Sequence, residues 1–220
     1  MRITKYIHSC LLIEKDSDRL LFDPGNFTFL EGRFAPADFR DIRAVVVTHY
    51  HPDHLDDEAL RVILENNPRA LVLANRFIVD RLAAKDISAE VFESGERRVG
   101  DFLLKAFEAP QEKILADEIP PNTAFTIDDE ILHPGDSLSR NLHALRGTPV
   151  LCLPVAAPWL TEPAAYEFAA ALEPRTIVPI HDGFLKDFFL KSRYQNFQRH
   201  FERIDIQFRR MIEPGDFCEV

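Results

Sequence analysis

Cysteine is scarce in this chain. There are three in 220 residues, Cys10, Cys152 and Cys218, scattered, odd in number and without a C-x-x-C pair. That speaks against a disulfide framework and suits a reducing, cytoplasmic setting, with each thiol a small core residue. Glycine is sparse too, eight in all, and no Ser/Gly-rich linker divides the chain, so residues 1–220 read as one globular domain with ample core. Long apolar runs are missing: Arg2, Lys5, Glu14 and Lys15 interrupt the first candidate, which argues against a signal peptide or a membrane span. Basic residues are the minority, 26 Lys and Arg against 36 Asp and Glu, for a net charge of -10. A chain of that sign repels phosphate backbones, so nucleic acid is not the expected partner.

What is present is a mixture of β-type runs and helical patterns in both halves. "RITKYI", "CLLIE" and "RLLFD" read as strands, with "KDSD" turning between the last two. "PGNFTFLEGRFAPAD" reads as an irregular loop and "RAVVVTH" as a buried strand. "LDDEALRVILENN" carries a helical pattern stopped by Pro68, followed by the strand "ALVLAN" and the helix "RFIVDRLAAKD". "AEVFES", "RRVGDFLLKAFEA" and "NTAFTIDDEILH" make a β-rich middle, with "IDDE" as a hairpin turn. "PVLCLPV", the helix "EPAAYEFAAALEP", the strand "RTIVPIH" and the long amphipathic helix "GFLKDFFLKSRYQNFQRHF" follow, and "IDIQFRRMI" and "GDFCEV" close the chain. Without strict βα alternation, the pattern predicts two sheets in the middle with helices outside.

One stretch stands apart. "THYHPDHLDD", residues 48–57, holds three histidines and three aspartates in ten positions. In an extended segment His49 and His51 share a face, and Pro52 keeps His51 out of helical geometry. Asp53 and His54 then fall at the mouth of a helix beginning near Leu55, where the helix dipole resists protonation of an imidazole. Asp53 or Asp56 could cap that helix without any metal. One cap needs one residue, however, and the remaining groups would crowd like charges or bury polar atoms unpaired. A metal site is the expectation. "HPGDS" offers Asp136 at a Gly turn after a strand, and "PIHDG" offers His181 at a strand end. Alone, either is an ordinary turn or strand-end residue; beside the first cluster, both become candidate ligands. Nitrogen and oxygen donors of this kind suit Zn²⁺, and also Mn²⁺ or Fe.

The motif "HYHPDHLD" resembles the H-x-H-x-D-H-x-D signature of the metallo-β-lactamase-fold hydrolases, and "LLFDPG", "ILHPGDS" and "PIHDG" match that family's flanking motifs in order. "IHSCLLIE" and "NTAFTI…HPGDS" look like the branch that includes L-ascorbate-6-phosphate lactonase. The resemblance spans residue 8 to about residue 185. It implies an α/β (α+β) chain folded as a four-layer αβ/βα sandwich with a site for one or two metal ions, Zn²⁺ first. It places His49 and His51 on the first metal, Asp53, His54 and His181 on the second, and Asp136 between them. Asp53 would also be catalytic, Asp23 and Asp56 would orient ligands, and His8 would lie near the site mouth.

One departure matters. The resemblance implies a third histidine for the first metal after a long strand, and the corresponding loop "PQEKILADEIPPN" has none. Ile114 sits about where that ligand would fall, with Gln111 and Glu112 close by. Glu112 could substitute, the first site could be weak, or the protein could be a catalytically degenerate binding protein on the same fold. By ligand count the second site is expected to be the tighter. The leading function is a metal-dependent hydrolase that uses activated water to cleave an ester, lactone, amide or phosphoester in a small molecule. Phe27, Phe29, Phe34 and Trp159 could wall a pocket or fill core, and Arg33 and Lys186 could meet an anionic substrate or simply be solvated.

Overall fold

The computed structural model describes residues 1–220. The chain opens with three strands, β1 (Arg2–Lys5), β2 (Leu11–Lys15) and β3 (Asp18–Phe22), followed by the short 3₁₀ turns Asn26–Thr28 and Pro36–Asp38. Then come β4 (Ala44–Val46), α1 (Asp57–Asn66), β5 (Leu71–Ala74), α2 (Arg76–Ala83) and β6 (Glu90–Val91). The second half holds β7 (Gly95–Val99), β8 (Phe102–Glu108), β9 (Thr123–Ile127), β10 (Ile131–His133), β11 (Val150–Pro154), α3 (Glu162–Leu172), β12 (Thr176–Ile180), α4 (Asp187–Phe201), β13 (Gln207–Phe208) and β14 (Phe217–Glu219).

Two seven-stranded mixed sheets result, ordered β14-β1-β2-β3-β4-β5-β6 and β13-β12-β11-β10-β9-β8-β7. Period-2 alternation sorts each strand between two cores. Leu20, Phe22, Ala44 and Val46 face the other sheet, where they meet Phe102, Phe125, Val150 and Cys152. Leu21, Val45 and Val47 face outward onto Leu60 and Ile63 of α1 and Ile78 and Leu82 of α2. On the far side, Leu151 and Leu153 lie under Phe168 of α3 and Tyr194 and Phe197 of α4. This is the four-layer αβ/βα sandwich that the resemblance implied. The three cysteines are buried and unpaired, as expected of core residues. No helix is long and apolar enough to cross a membrane.

Local chemistry accounts for the boundaries. The "IDDE" turn joins β9 to β10 through Asp128 and Asp129 at φ of 52° and 56°, the paired left-handed conformation of a tight hairpin. Asp56 caps α1, accepting from the backbone N–H groups of Glu58 and Ala59, and Asn75 caps α2 by accepting from Ile78. Two expectations need correction. β4 ends at Val46, so His49 and His51 lie in an irregular segment after a bend at Thr48 rather than on an extended strand. The final long helix begins at Asp187, because a turn at Gly183 and Phe184, a bend at Leu185 and the extended cap residue Lys186 precede it.

β3, β4 and β5 run parallel, as do β10, β11 and β12, so the carboxyl ends within each set share one edge. The loops gather there and are held close. Asn26 N–H donates to Pro52 O at 2.8 Å. A Cβ on Gly25 would lie 1.9 Å from the carbonyl oxygen of Asp53. Behind the same edge, buried Lys5 donates to Asp182 at 2.5 Å and to the Tyr194 hydroxyl at 2.8 Å, tying β1 to the end of β12 and to α4.

Two stability outcomes follow from these contacts. Lys5→Met strands a buried carboxylate on Asp182 and is expected to cost about 3–5 kcal/mol in urea unfolding. Gly25→Ala forces the Asp53 backbone to move and is expected to cost ~1–3 kcal/mol by the same measurement. An unchanged unfolding midpoint in either variant contradicts the corresponding contact.

Candidate metal centre

Every side chain of interest follows the carboxyl end of a strand. His8 follows β1, Asp23 follows β3, and residues 49–54 follow β4. Gln111, Asp136 and His181 follow β8, β10 and β12. Asp23 organises the group. It is fully buried and has φ of 44°, and its carboxylate accepts from Thr48 N–H at 2.8 Å, Thr48 Oγ1 at 2.7 Å and His54 Nδ1 at 2.8 Å. Because His54 spends its Nδ1 proton on Asp23, its Nε2 carries a free lone pair.

The same logic sets two more imidazoles. Thr48 donates its one hydroxyl proton to Asp23, so its oxygen accepts from His49 Nδ1 at 3.0 Å. His181 Nδ1 donates to the carbonyl of Ala156 at 2.6 Å. Both leave Nε2 as an acceptor pointing inward. His49 Nε2 lies 3.0 Å from His51 Nδ1 and 3.7 Å from Asp136 Oδ2. His181 Nε2 lies 3.2 Å from Asp136 Oδ2, and His54 Nε2 lies 3.3 Å from Asp136 Oδ1.

Two groups of potential ligand atoms emerge, each with its atoms within 4.8 Å of one another: His49, His51 and Asp136, and His8, Asp53, His54 and His181. Donors on one tetrahedral zinc ion stand about 3.3 Å apart, given bonds of ~2.0–2.1 Å, and the separations around Asp136 match that spacing. His54 Nε2 and Asp136 Oδ1 are buried and have no hydrogen-bond partner. Orphaned lone pairs at the centre of a buried cluster fit a cation. The donor set and its geometry therefore suit one or two divalent ions.

Electrostatics point the same way. Burial alone would raise Asp136, but His181, His54 and His49 hold its carboxyl well below the usual range. Asp53 and Asp23 are also lowered against the effect of burial, Asp53 by the hydrogen bond from His8 and then by His54, Asp23 chiefly by His54. Burial opposes a charge on His54, yet Asp136 and Asp23 outweigh it and raise the imidazole well above its ordinary value. His181 is raised against burial by Asp136. Burial, then the neighbouring His54, lowers His49 to about 3. Three carboxylates held low in a dry pocket demand positive charge. A divalent cation meets that demand.

The six residues expected as ligands, His49, His51, Asp53, His54, Asp136 and His181, thus come together within these two groups. Asp56 does not: its carboxylate caps α1. Glu112 does not either, since its Oε1 accepts from Leu138 N–H at 3.0 Å. Of the residues in that loop, Gln111 is the one whose side chain reaches the cluster, its Nε2 donating to Asp136 Oδ2 at 3.3 Å. His8, expected near the mouth, lies beneath the aromatic rim and is wholly buried. Gly183 N–H occupies its Nδ1 at 3.0 Å, so its Nε2 donates to Asp53 Oδ2 at 3.0 Å. Burial, then His181, lowers it to about 4 and keeps this donor neutral. Its place was legible only as a polar residue between two strands; the left-handed φ of 64° that turns it inward was not.

Aromatic rings form the rim. Phe27 and Phe184 pack on the His8 ring and Trp159 on the His181 ring, with centroids at 4.9, 5.8 and 5.8 Å. Phe29 and Phe34 turn away to pack on Phe39 and Tyr6. A cavity of about 310 Å³ reaches His8 and is lined by Phe27, Leu30, Arg33 and Phe184. Arg33 is half exposed and paired with Glu31 at 3.1 Å, while Lys186 is exposed at the start of α4.

Residues 2–181 match the family described as "Beta-lactamase superfamily domain". The chain is 32% identical over 191 residues to Protein Rv0786c of Mycobacterium tuberculosis, covering 83% of this chain and 84% of that one. It is 26% identical over 201 residues to the UPF0173 metal-dependent hydrolase YtkL of Bacillus subtilis, covering 82% and 85%. Its fold is similar to that of Igni18, a metallo hydrolase from Ignicoccus hospitalis, with a TM-score of 0.69, 19% identity and full coverage of both chains. A family match over most of the chain, on a sandwich whose strand ends converge on two His/Asp groups, makes this protein a member of the β-lactamase superfamily, with the metal-dependent hydrolase architecture.

Proposed function

We propose that this chain is a metal-dependent hydrolase acting on a small molecule, with His49, His51 and Asp136 holding one cation and Asp53, His54, His181 and the shared Asp136 the other. The observation that carries this reading is the pair of buried, partnerless donor atoms, His54 Nε2 and Asp136 Oδ1, at the centre of the cluster. Zn²⁺ is the first choice of ion, with Mn²⁺ or Fe as the alternatives. A divalent cation supplies Lewis-acid activation of water and charge for a developing oxyanion.

Asp53 is assigned the catalytic role on access. Its side chain is 23% exposed, against 3% for Asp136 and none for Asp23, so it is the cluster carboxylate that solvent and substrate reach. It orients the attacking water and accepts its proton, while the neutral Nε2–H of His8 keeps the carboxylate aimed. Phe27, Phe184 and Trp159 exclude water and hold an apolar portion of the substrate beside that carboxylate. The bond broken is an ester, lactone, amide or phosphoester. The lactone is supported by the likeness of "IHSCLLIE" and "HPGDS" to the L-ascorbate-6-phosphate lactonase branch, and by that likeness alone. The net charge of -10 supports a small-molecule substrate over nucleic acid. Three buried, unpaired cysteines support a reducing, cytoplasmic setting, and the pairing of β14 with β1 supports residues 1–220 as one domain.

Metal removal tests the reading. Chelation is expected to abolish hydrolysis across a panel of lactones, esters and phosphodiesters, and added Zn²⁺ or Mn²⁺ to restore it. His54→Ala is expected to lower kcat/KM at least ~100-fold, while His200→Ala, on the far helix, leaves it unchanged; full activity in the chelated protein would sink the proposal. Asp23→Asn keeps the shape but weakens the grip on His54. It is expected to cost ~10–100-fold in metal affinity by calorimetry, and unchanged affinity contradicts the role given to Asp23.

A further inference from the structure

Gln111 has no assigned role and stands where an imidazole is missing. Its loop is well fixed. Asn122 Nδ2 donates to Ala109 O at 2.9 Å, and Glu112 N–H donates to Asp136 O at 2.9 Å. The Gln111 amide is therefore presented to the Asp136 carboxylate by two backbone anchors. Its Nε2 donates to Asp136 Oδ2 at 3.3 Å, and its Oε1 is buried with no hydrogen-bond partner. Neither orientation of the amide is satisfied by protein groups. As it stands, the carbonyl oxygen is orphaned. A half-turn about the soft terminal torsion would set that oxygen against Asp136 Oδ2, where two acceptors repel unless a cation lies between them. Glu112 offers no rival: its Oε1 accepts from Leu138 N–H at 3.0 Å and the residue belongs to neither ligand group.

We propose that Gln111 supplies its amide oxygen as the third side-chain ligand, beside the shared Asp136, of the cation held by His49 and His51. This makes that position the weaker and more exchangeable of the two. The inference rests on the hydrolase reading above. Counted this way, each ion meets two imidazoles and two oxygens: His49, His51, Gln111 and Asp136 on one side, His54, His181, Asp53 and Asp136 on the other. The sets then differ by one unit of charge, a neutral amide standing opposite the Asp53 carboxylate. A neutral oxygen holds a divalent ion less tightly than a carboxylate does, and it tilts the site toward harder ions such as Mn²⁺.

The test is calorimetric titration of the metal-free full chain with Mn²⁺ and with Zn²⁺, with ion count checked by mass spectrometry. Wild type is expected to bind two ions with dissociation constants at least ~10-fold apart. Gln111→Leu, close in volume but without a donor, is expected to keep the tight ion and weaken the other at least ~10-fold further. Retention of the tight ion reports that the variant is folded. Gln111→His is expected to narrow the gap, and Glu112→Gln to behave as wild type. Unaltered binding of both ions by Gln111→Leu overturns the proposal, as does loss of one ion in Glu112→Gln. A wild-type chain that binds a single ion overturns it too while leaving hydrolysis at the Asp53 side standing; a chain that binds none removes both.

Discussion

The hydrogen bonds converging on Asp23 are the constraint on which the metal centre depends. One carboxylate, sealed from solvent at the end of β3, accepts from a backbone N–H, a hydroxyl and an imidazole. Through Thr48 it also fixes His49, so a single anion sets the tautomers of two imidazoles and frees both inward lone pairs. Removing water from such a carboxylate is costly, and only full hydrogen bonding makes it tolerable. The residue adopts a left-handed φ to reach all its partners, a local strain of the kind that concentrates at functional sites.

Around that anchor the fold concentrates negative charge in a dry space. Asp23, Asp53 and Asp136 lie within one cluster with His8, His49, His54 and His181. No apolar repacking would place them there, and the group holds together only when positive charge is supplied. A divalent ion on the inward-facing imidazole nitrogens and carboxylate oxygens would supply it. Structure and chemistry are thus coupled: the arrangement that would be costly empty is the one that holds a cation. Exposure then separates the carboxylates. Asp23 and Asp136 are closed off, and Asp53 alone opens toward the aromatic rim.

The sandwich explains how such distant residues meet. Parallel neighbours in each sheet put their carboxyl ends on one edge, and the apolar layer between the sheets holds the two edges in line. The buried Lys5, Asp182 and Tyr194 group closes the same end from behind, next to the His181 backbone. Rigid strands, with the loops at their ends pinned by hydrogen bonds, give the precision that a metal site needs, since a shift of an ångström at one ligand would open the shell.

Much of this was legible in the chain itself. The short apolar runs "RLLFD" and "PVLCLPV" mark strands, the "IDDE" turn is carried by residues that tolerate positive φ, and the density of "HYHPDHLD" announces a cation site. Those are local facts, written in the side-chain pattern of a few consecutive residues. Other features were not local. Asp56 and Asp53 have the same side chain three residues apart, yet one caps a helix and the other faces the cluster, because the first turn of α1 decides which carboxylate is used up. Gln111 could be told from Glu112 and Ile114 only by the hydrogen bonds that draw its loop onto Asp136. His8 became a buried donor only through a left-handed backbone and an N–H from Gly183, 175 residues away along the chain. The sequence by itself determined which chemical groups are available and which short segments are strand, helix or turn. Tertiary structure decided which of those groups share one dry space and which lone pairs stay free, because that depends on where the loops at the strand ends are pinned.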